Sequence, residues 1–264
     1  MSISRLQRLI DEKRAPICAG LDIRDSMPER DETQYGFGKR ILATIADLIP
    51  CVKLQSAFYE SKGLAGMNDL ALTLDYARSK GLYAILDAKR GDIASTAEAY
   101  AKAYLTPGSE FEADALTVNA YLGADSIKPF IAAAKAFDKS IFVLVKTSNP
   151  GSVDIQDLLT ERGEPVYAQV AGMLDELNEP DYLGFVIGAT FPLQLTELRA
   201  RYPNTFFLVP GYGAQGASAD DIAVGFNSSG GGLIVNSSRN ILLASDPRAA
   251  VYEMINEFRR VLHG

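Results

Sequence analysis

The chain has 264 residues, 47% of them hydrophobic, enough for one large core, and α/β barrels of this length are commonly a single domain. Its net charge of −7 argues against broad nucleic-acid binding, while leaving room for a local anion site where a few Lys or Arg share a cleft. The single histidine, His263, excludes most Ser-His-Asp and Cys-His chemistry and any His-based metal site, so chemistry must fall to Lys, Asp, Arg, Ser and backbone groups.

In chain order, residues 1–14 mix charge throughout and have no apolar signal-peptide core. No apolar run reaches the length needed to span a membrane, so a cytoplasmic protein is expected. The pattern predicts a helix over 4–13. Short apolar runs then predict strands at 17–21, 51–54, 82–86, 115–118, 141–145, 183–187, 205–209 and 232–235. Helical patterns fill the gaps at 35–48, 67–79, 93–104, 124–137, 165–177, 192–201, 220–226 and 247–261. Cys18 and Cys51 lie in the first two apolar runs and read as buried reduced thiols. The polar stretches 24–38 and 148–163 read as long loops after strands one and five. Near-continuous apolar strands alternating with helices predict parallel strands covered by helices. Eight such units predict an α/β fold, a closed (β/α)₈ TIM barrel with an extra N-terminal helix, over an open doubly wound sheet. Residues 1–264 are expected to form one domain.

Barrel active sites lie at the C-terminal ends of the strands. Those ends carry Asp22, Lys53, Asp87 with Lys89, Asn119, Lys146 with Ser148, Thr190, the Gly211-Tyr212-Gly213 turn, and Ser237-Ser238-Arg239. Polar loops explain polarity there. They do not explain three lysines, two inward aspartates and a Gly-rich pair. The densest signal is Asp87-Ala88-Lys89-Arg90-Gly91-Asp92. Strand side chains alternate, so Asp87 and Lys89 point the same way with Cα atoms roughly 6.6 Å apart. Buried charges need partners; the pair is either a structural ion pair or catalytic. Asp92 stands where the next helix should begin and is equally suited to cap it. Lys53 shares a face with Cys51 and Gln55, and Asp22 is also an ordinary residue for a turn. After strands seven and eight, residues 210–216 and 236–239 form the loop pair that often holds phosphate in barrels. Glycine permits close backbone approach there. Arg239 can bond phosphate bidentately, and Gln215 sits among three glycines, as in a mobile lid.

Taken together, residues 87–93, 52–58, 117–123, 146–151 and 209–216 resemble the orotidine 5′-monophosphate decarboxylase family across nearly the whole barrel. The resemblance implies a homodimeric (β/α)₈ enzyme of pyrimidine biosynthesis, with no cofactor and no metal. Such an enzyme converts orotidine 5′-monophosphate to uridine 5′-monophosphate and CO₂. It implies a charged network of Lys53, Asp87, Lys89 and Asp92, with Asp92 supplied across the dimer. Lys89 would protonate the pyrimidine C6 and Asp87 would sit beside the substrate carboxylate. Asp22, Lys53, Asp92 and Thr96 would hold the ribose hydroxyls, Thr96 also from the other subunit. Ser148 would bond the pyrimidine edge, and Gln215 and Arg239 would grip the phosphate. Asn119, Pro210 and Ser238 complete the expected substrate-binding set. The partner is thus a small-molecule nucleotide, neither a nucleic acid nor a membrane. Three alternatives stay open. Related metal-dependent sugar-phosphate enzymes share the Asp-x-Lys-x-x-Asp core but tend to be acidic where Lys53 stands. A Schiff-base aldolase would use Lys146. A silent phosphate-binding barrel would bind without turnover.

Overall fold

The computed structural model describes residues 2–27, 32–213 and 216–263, and it contains the expected closed barrel of eight parallel strands in chain order. The strands are β1 (Ile17–Leu21), β2 (Cys51–Gln55), β3 (Tyr83–Arg90), β4 (Ala115–Val118), β5 (Ser140–Lys146), β6 (Leu183–Ile187), β7 (Phe206–Pro210) and β8 (Leu233–Ser237). Pairing of Ile17 with Val235 closes β1 onto β8. The helices are α1 (Ser2–Lys13), α2 (Gln34–Ile45), α3 (Ser56–Glu60), α4 (Gly63–Ser79), α5 (Ala94–Leu105), α6 (Ala124–Phe137), α7 (Val166–Asp175), α8 (Pro192–Arg201), α9 (Ala219–Ala223), α10 (Arg239–Leu242) and α11 (Pro247–His263). Among the described residues, no helix is long and apolar enough to cross a membrane.

The strands are apolar on both faces because each face meets a different core. Outward residues such as Val52, Leu54, Leu86 and Leu116 pack with Leu70, Leu74 and Ala97 of the covering helices. Inward residues Cys18, Cys51, Tyr83, Ile85, Phe142, Phe206 and Ile234 fill the lower half of the barrel. Helix α1 closes that end. Its Ile3, Leu6 and Ile10 recur on one helical face and join the interior cluster. Ser2 Oγ lies 2.6 Å from the Tyr83 hydroxyl, Arg5 pairs with Asp114 at 2.6 Å, and the Gly232 N–H donates to Gln7 Oε1 at 2.9 Å. Hydrocarbon and these paired polar groups close the N-terminal end, and the open cavity lies at the other mouth.

Several boundaries differ from those the sequence suggests. Strand β3 runs to Arg90, four residues past its apolar run, because the pairing with β4 resumes at Arg90↔Val118 after a register shift. Short helices α3 and α10 follow directly on β2 and β8, where no helix was expected. Helix α5 starts one residue late, with Ile93 as its N-cap, so Asp92 does not cap it from that position; Asp92 Oδ1 accepts from the neighbouring Ile93 N–H at 2.8 Å. The helix expected over 220–226 is α9, held by a reciprocal cap between Ser218 and Asp221. A 3₁₀ turn, Pro150–Asp154, interrupts the loop after β5.

Candidate active site

At the C-terminal mouth, a cavity of about 540 Å³ opens above Leu144, Val186 and Leu208. Asp87 lies at its centre. Lys53 Nζ and Gln55 Nε2 donate to one carboxylate oxygen at 2.8 and 3.1 Å. Lys89 Nζ and Thr117 Oγ1 donate to the other at 2.7 and 2.8 Å. Asp22 reaches Lys53 from β1 at 3.5 Å. The result is an alternating row, Asp22–Lys53–Asp87–Lys89, laid across the ends of three adjacent strands.

The backbone of β3 makes this row possible. From Leu86 to Arg90 the strand takes four steps where β4 takes two. Within that excess Lys89 adopts φ +47°, a left-handed conformation unusual for a residue with a side chain. Its N–H is held by Thr117 Oγ1 at 2.9 Å, which fixes the turn. Local strain of this kind persists only where the surroundings over-determine it, and it concentrates at functional sites.

The electrostatics follow from burial and pairing. Burial alone would raise the Asp87 pKa, but the neighbouring Lys53 and Lys89 charges and their hydrogen bonds hold its carboxyl well below the usual carboxylate range. Burial opposes the Lys53 cation, and Asp22 and Asp87 overcome it, raising Lys53 well above the ordinary lysine value. The two lysines differ in access. The Lys53 side chain is 5% exposed and that of Lys89 is 44% exposed, so Lys89 is the cation available to a ligand.

Of the residues expected from sequence, Asp22, Lys53, Asp87, Lys89, Ser148, Pro210, Ser238 and Arg239 line this cavity together. Gln215 lies outside the described residues. Asp92 and Thr96 do not line the cavity of their own chain; they stand at the start of α5, with Thr96 exposed. Asn119 is also off the cavity, and its side-chain oxygen accepts from the Tyr121 N–H at 3.0 Å. Lys146 is fully buried elsewhere, paired with Asp157 at 2.6 Å and placed over the Phe191 ring at 4.4 Å. It is sealed from the cavity a Schiff-base substrate would enter. Sequence reasoning missed Arg24, Gln55, Thr117 and Gln156 as lining residues, while Asn236, part of the expected phosphate loop pair, lines the cavity. For Gln55 the signal was present, since it shares strand parity with Lys53. Among the described residues, no cluster of three or more His, Cys, Asp or Glu is placed to hold a metal ion.

Residues 15–254 match the orotidine 5′-phosphate decarboxylase / HUMPS family. The chain belongs to that family. It is 44% identical over 252 residues to the orotidine 5′-phosphate decarboxylase of Rhodopirellula baltica, covering 86% of this chain and 83% of that one. It is 39% identical over 257 residues to the orotidine 5′-phosphate decarboxylase of Clostridium acetobutylicum, covering 90% of this chain and 89% of the relative. The solved structure of Leishmania donovani OMP decarboxylase superposes with a TM-score of 0.87 at 33% identity, covering 100% of this chain and 99% of that one. The family match spans the closed barrel, and segment 87–93, which carried the resemblance in the sequence, supplies Asp87 and Lys89 to the charged row at its mouth.

Proposed function

We propose that this chain converts orotidine 5′-monophosphate to uridine 5′-monophosphate and CO₂ with its own side chains alone, by stabilising negative charge at C6 and delivering a proton there from Lys89. The coarser activity rests on the family: the chain is a carboxy-lyase acting on orotidine 5′-phosphate in pyrimidine biosynthesis. The observation that carries the finer reading is the exposed Lys89 ammonium, anchored to Asp87 at 2.7 Å and facing a closed-ended cavity.

Loss of CO₂ from C6 leaves a carbanion with no attached electron sink. A fixed cation in a site screened from water lowers the energy of that charge as it develops, at no cost of reorganisation. Lys89 supplies the cation and then the proton. Asp87 orients its Nζ and, with Lys53 behind it, stays ionised, so the row is prearranged before substrate arrives. Asp22 and Lys53 hold the ribose hydroxyls. Ser148 bonds the pyrimidine edge. Arg239, Ser238 and the backbone of 210–212 take the phosphate, where barrels with a short helix after β8 commonly bind it. Binding energy from the phosphate raises the rate only where it is expressed in the transition state.

The enzyme acts in the cytoplasm as a homodimer, with Asp92 and Thr96 completing the partner's site. Support for the dimer comes from Ile93, Tyr121 and Leu122, exposed apolar residues in the loops after β3 and β4 that pairing of subunits would cover. Rescue of activity in mixed dimers of Asp92→Asn and Lys89→Ala parents is expected. With subunit exchange confirmed, its absence would count against the shared site.

The direct test is the ultraviolet absorbance of orotidine 5′-monophosphate incubated with protein and a chelator. Decay to the uridine 5′-monophosphate spectrum, lost in Lys89→Ala, is the expected result. Turnover of a sugar phosphate that requires added magnesium, with none of the nucleotide, would move the assignment to the metal-dependent branch.

A further inference from the structure

Gln156 lines the cavity but touches none of the charged row. Its carboxamide is spent on Thr147, the residue before Ser148. The Thr147 N–H donates to Gln156 Oε1 at 2.9 Å, and Gln156 Nε2 donates to Thr147 Oγ1 at 2.8 Å. The Thr147 hydroxyl donates a hydrogen bond to Asn149 Oδ1 at 2.7 Å, so the residues on both sides of Ser148 belong to one network. Behind Ser148 stands Gly188, where a methyl group would come within 2.9 Å of the Ser148 Cβ and N. Ser148 is therefore pressed against the end of β6 and clamped through its neighbour. Its own hydroxyl makes no hydrogen bond to another described residue and remains available to a ligand.

The adjacent residue repeats the grip with charge. Asp157 pairs with buried Lys146, so residues 156 and 157 hold residues 147 and 146. The charged latch is shut away from the cavity, and the neutral one faces it. Together they fix the base of the loop after β5 at the point where Ser148 enters the site.

We propose that Gln156 is a positioning residue for recognition of the pyrimidine: its two-point clamp on Thr147 aims Ser148 at the edge of the base. The proposal rests on the reading that Ser148 bonds the pyrimidine. Prearranged polar groups spare the ordering that binding otherwise requires, and a group displaced by about 1 Å can cost on the order of 10²-fold in rate. The clamp provides for the base what Thr117 provides for Lys89.

The test compares Gln156→Ala, Thr147→Val, Ser148→Ala and the double variants, each checked for folding by circular dichroism and Tm. Gln156→Ala is expected to lower kcat/KM for orotidine 5′-monophosphate by about 10²-fold. It should weaken inhibition by uridine 5′-monophosphate and leave inhibition by ribose 5-phosphate, which has no base, at the wild-type level. Thr147→Val keeps the backbone half of the clamp and should lose less. Adding Gln156→Ala to Ser148→Ala should change nothing further, since coupled residues fail to add. Should Gln156→Ala not fold, the cycle of Thr147→Val with Ser148→Ala carries the same test. Additive losses, equal weakening of both inhibitors, or wild-type kcat/KM in Gln156→Ala would overturn the proposal alone. Full activity of Ser148→Ala would overturn it together with the role given to Ser148.

Discussion

The ends of β3 and β5 use one device to opposite effect. Each carries a register shift near its C-terminus, with a lysine inside it at β3 and at its end at β5. At β3, Asp87 and Lys89 keep the shared face that alternation gives them and both line the cavity. At β5 the shift falls between Leu144 and Lys146, and Lys146 comes to pair with Ile187, a residue of the outer core. Leu144 still faces the cavity, so strict alternation would have placed Lys146 there too. Instead its ammonium is buried against Asp157, Ser152 and two aromatic rings. The shift at β5 therefore turns Lys146 away from the cavity to hold a loop, while Lys89 at β3 stays exposed to the cavity.

The comparison is sharpest at Lys89. On the proposed mechanism, in which Lys89 supplies the charge at the reacting carbon, Lys89→Ala is expected to reduce turnover by more than about 10³-fold; binding of uridine 5′-monophosphate, measured by calorimetry, should survive. Near-normal turnover would erase the distinction between the two strand ends.

At β5 the loss should appear in stability. Asp157→Ala leaves the Lys146 charge buried and unpaired and should cost on the order of 3 kcal/mol in urea unfolding. Lys146→Met removes the charge itself and should cost much less, because buried ion pairs are often replaceable by apolar residues of similar size. A Lys146→Met protein that folds but loses all turnover would mean that the buried lysine takes part in chemistry after all.

Smaller again is the pH effect at β3. The Asp87 pKa is lower in the folded chain than its unfolded value of about 3.9, so the unfolded chain binds more protons as acid is added. Its contribution to stability is present above that value and is lost as the pH falls toward the folded pKa. Lys53 runs the other way: its contribution is present below about pH 10.4 and is lost as the pH rises toward its folded pKa. Thermal melts of Asp87→Asn should show a lower Tm at neutral pH and a shallower decline below pH 4 than wild type. An unchanged acid limb would mean that Asp87 is not held ionised by its two lysines.

The barrel could be read from eight apolar runs alternating with helical patterns, because burial on two faces forces continuous apolar composition in parallel strands. The pairing of Asp87 with Lys89 could be read from their spacing. Their four-donor environment could not. Gln55 shares a face with Lys53 and Thr117 has no such mark, but that both donate to Asp87 appears once β2 and β4 lie on either side of β3. Gln156 sits in a loop with no periodicity, so nothing in its neighbourhood marks it. Asn119 shows the reverse error: a polar strand-end residue that satisfies its own turn.

Side-chain pattern along the chain is local, and it was sufficient for the order of the eight strands, the inward parity of Lys53, Asp87 and Lys89, and the mouth at which they gather. Register between strands is not local. It depends on how each ladder closes against its neighbours around the barrel, and at β5 that closure assigned Lys146 to the core, against its strand parity.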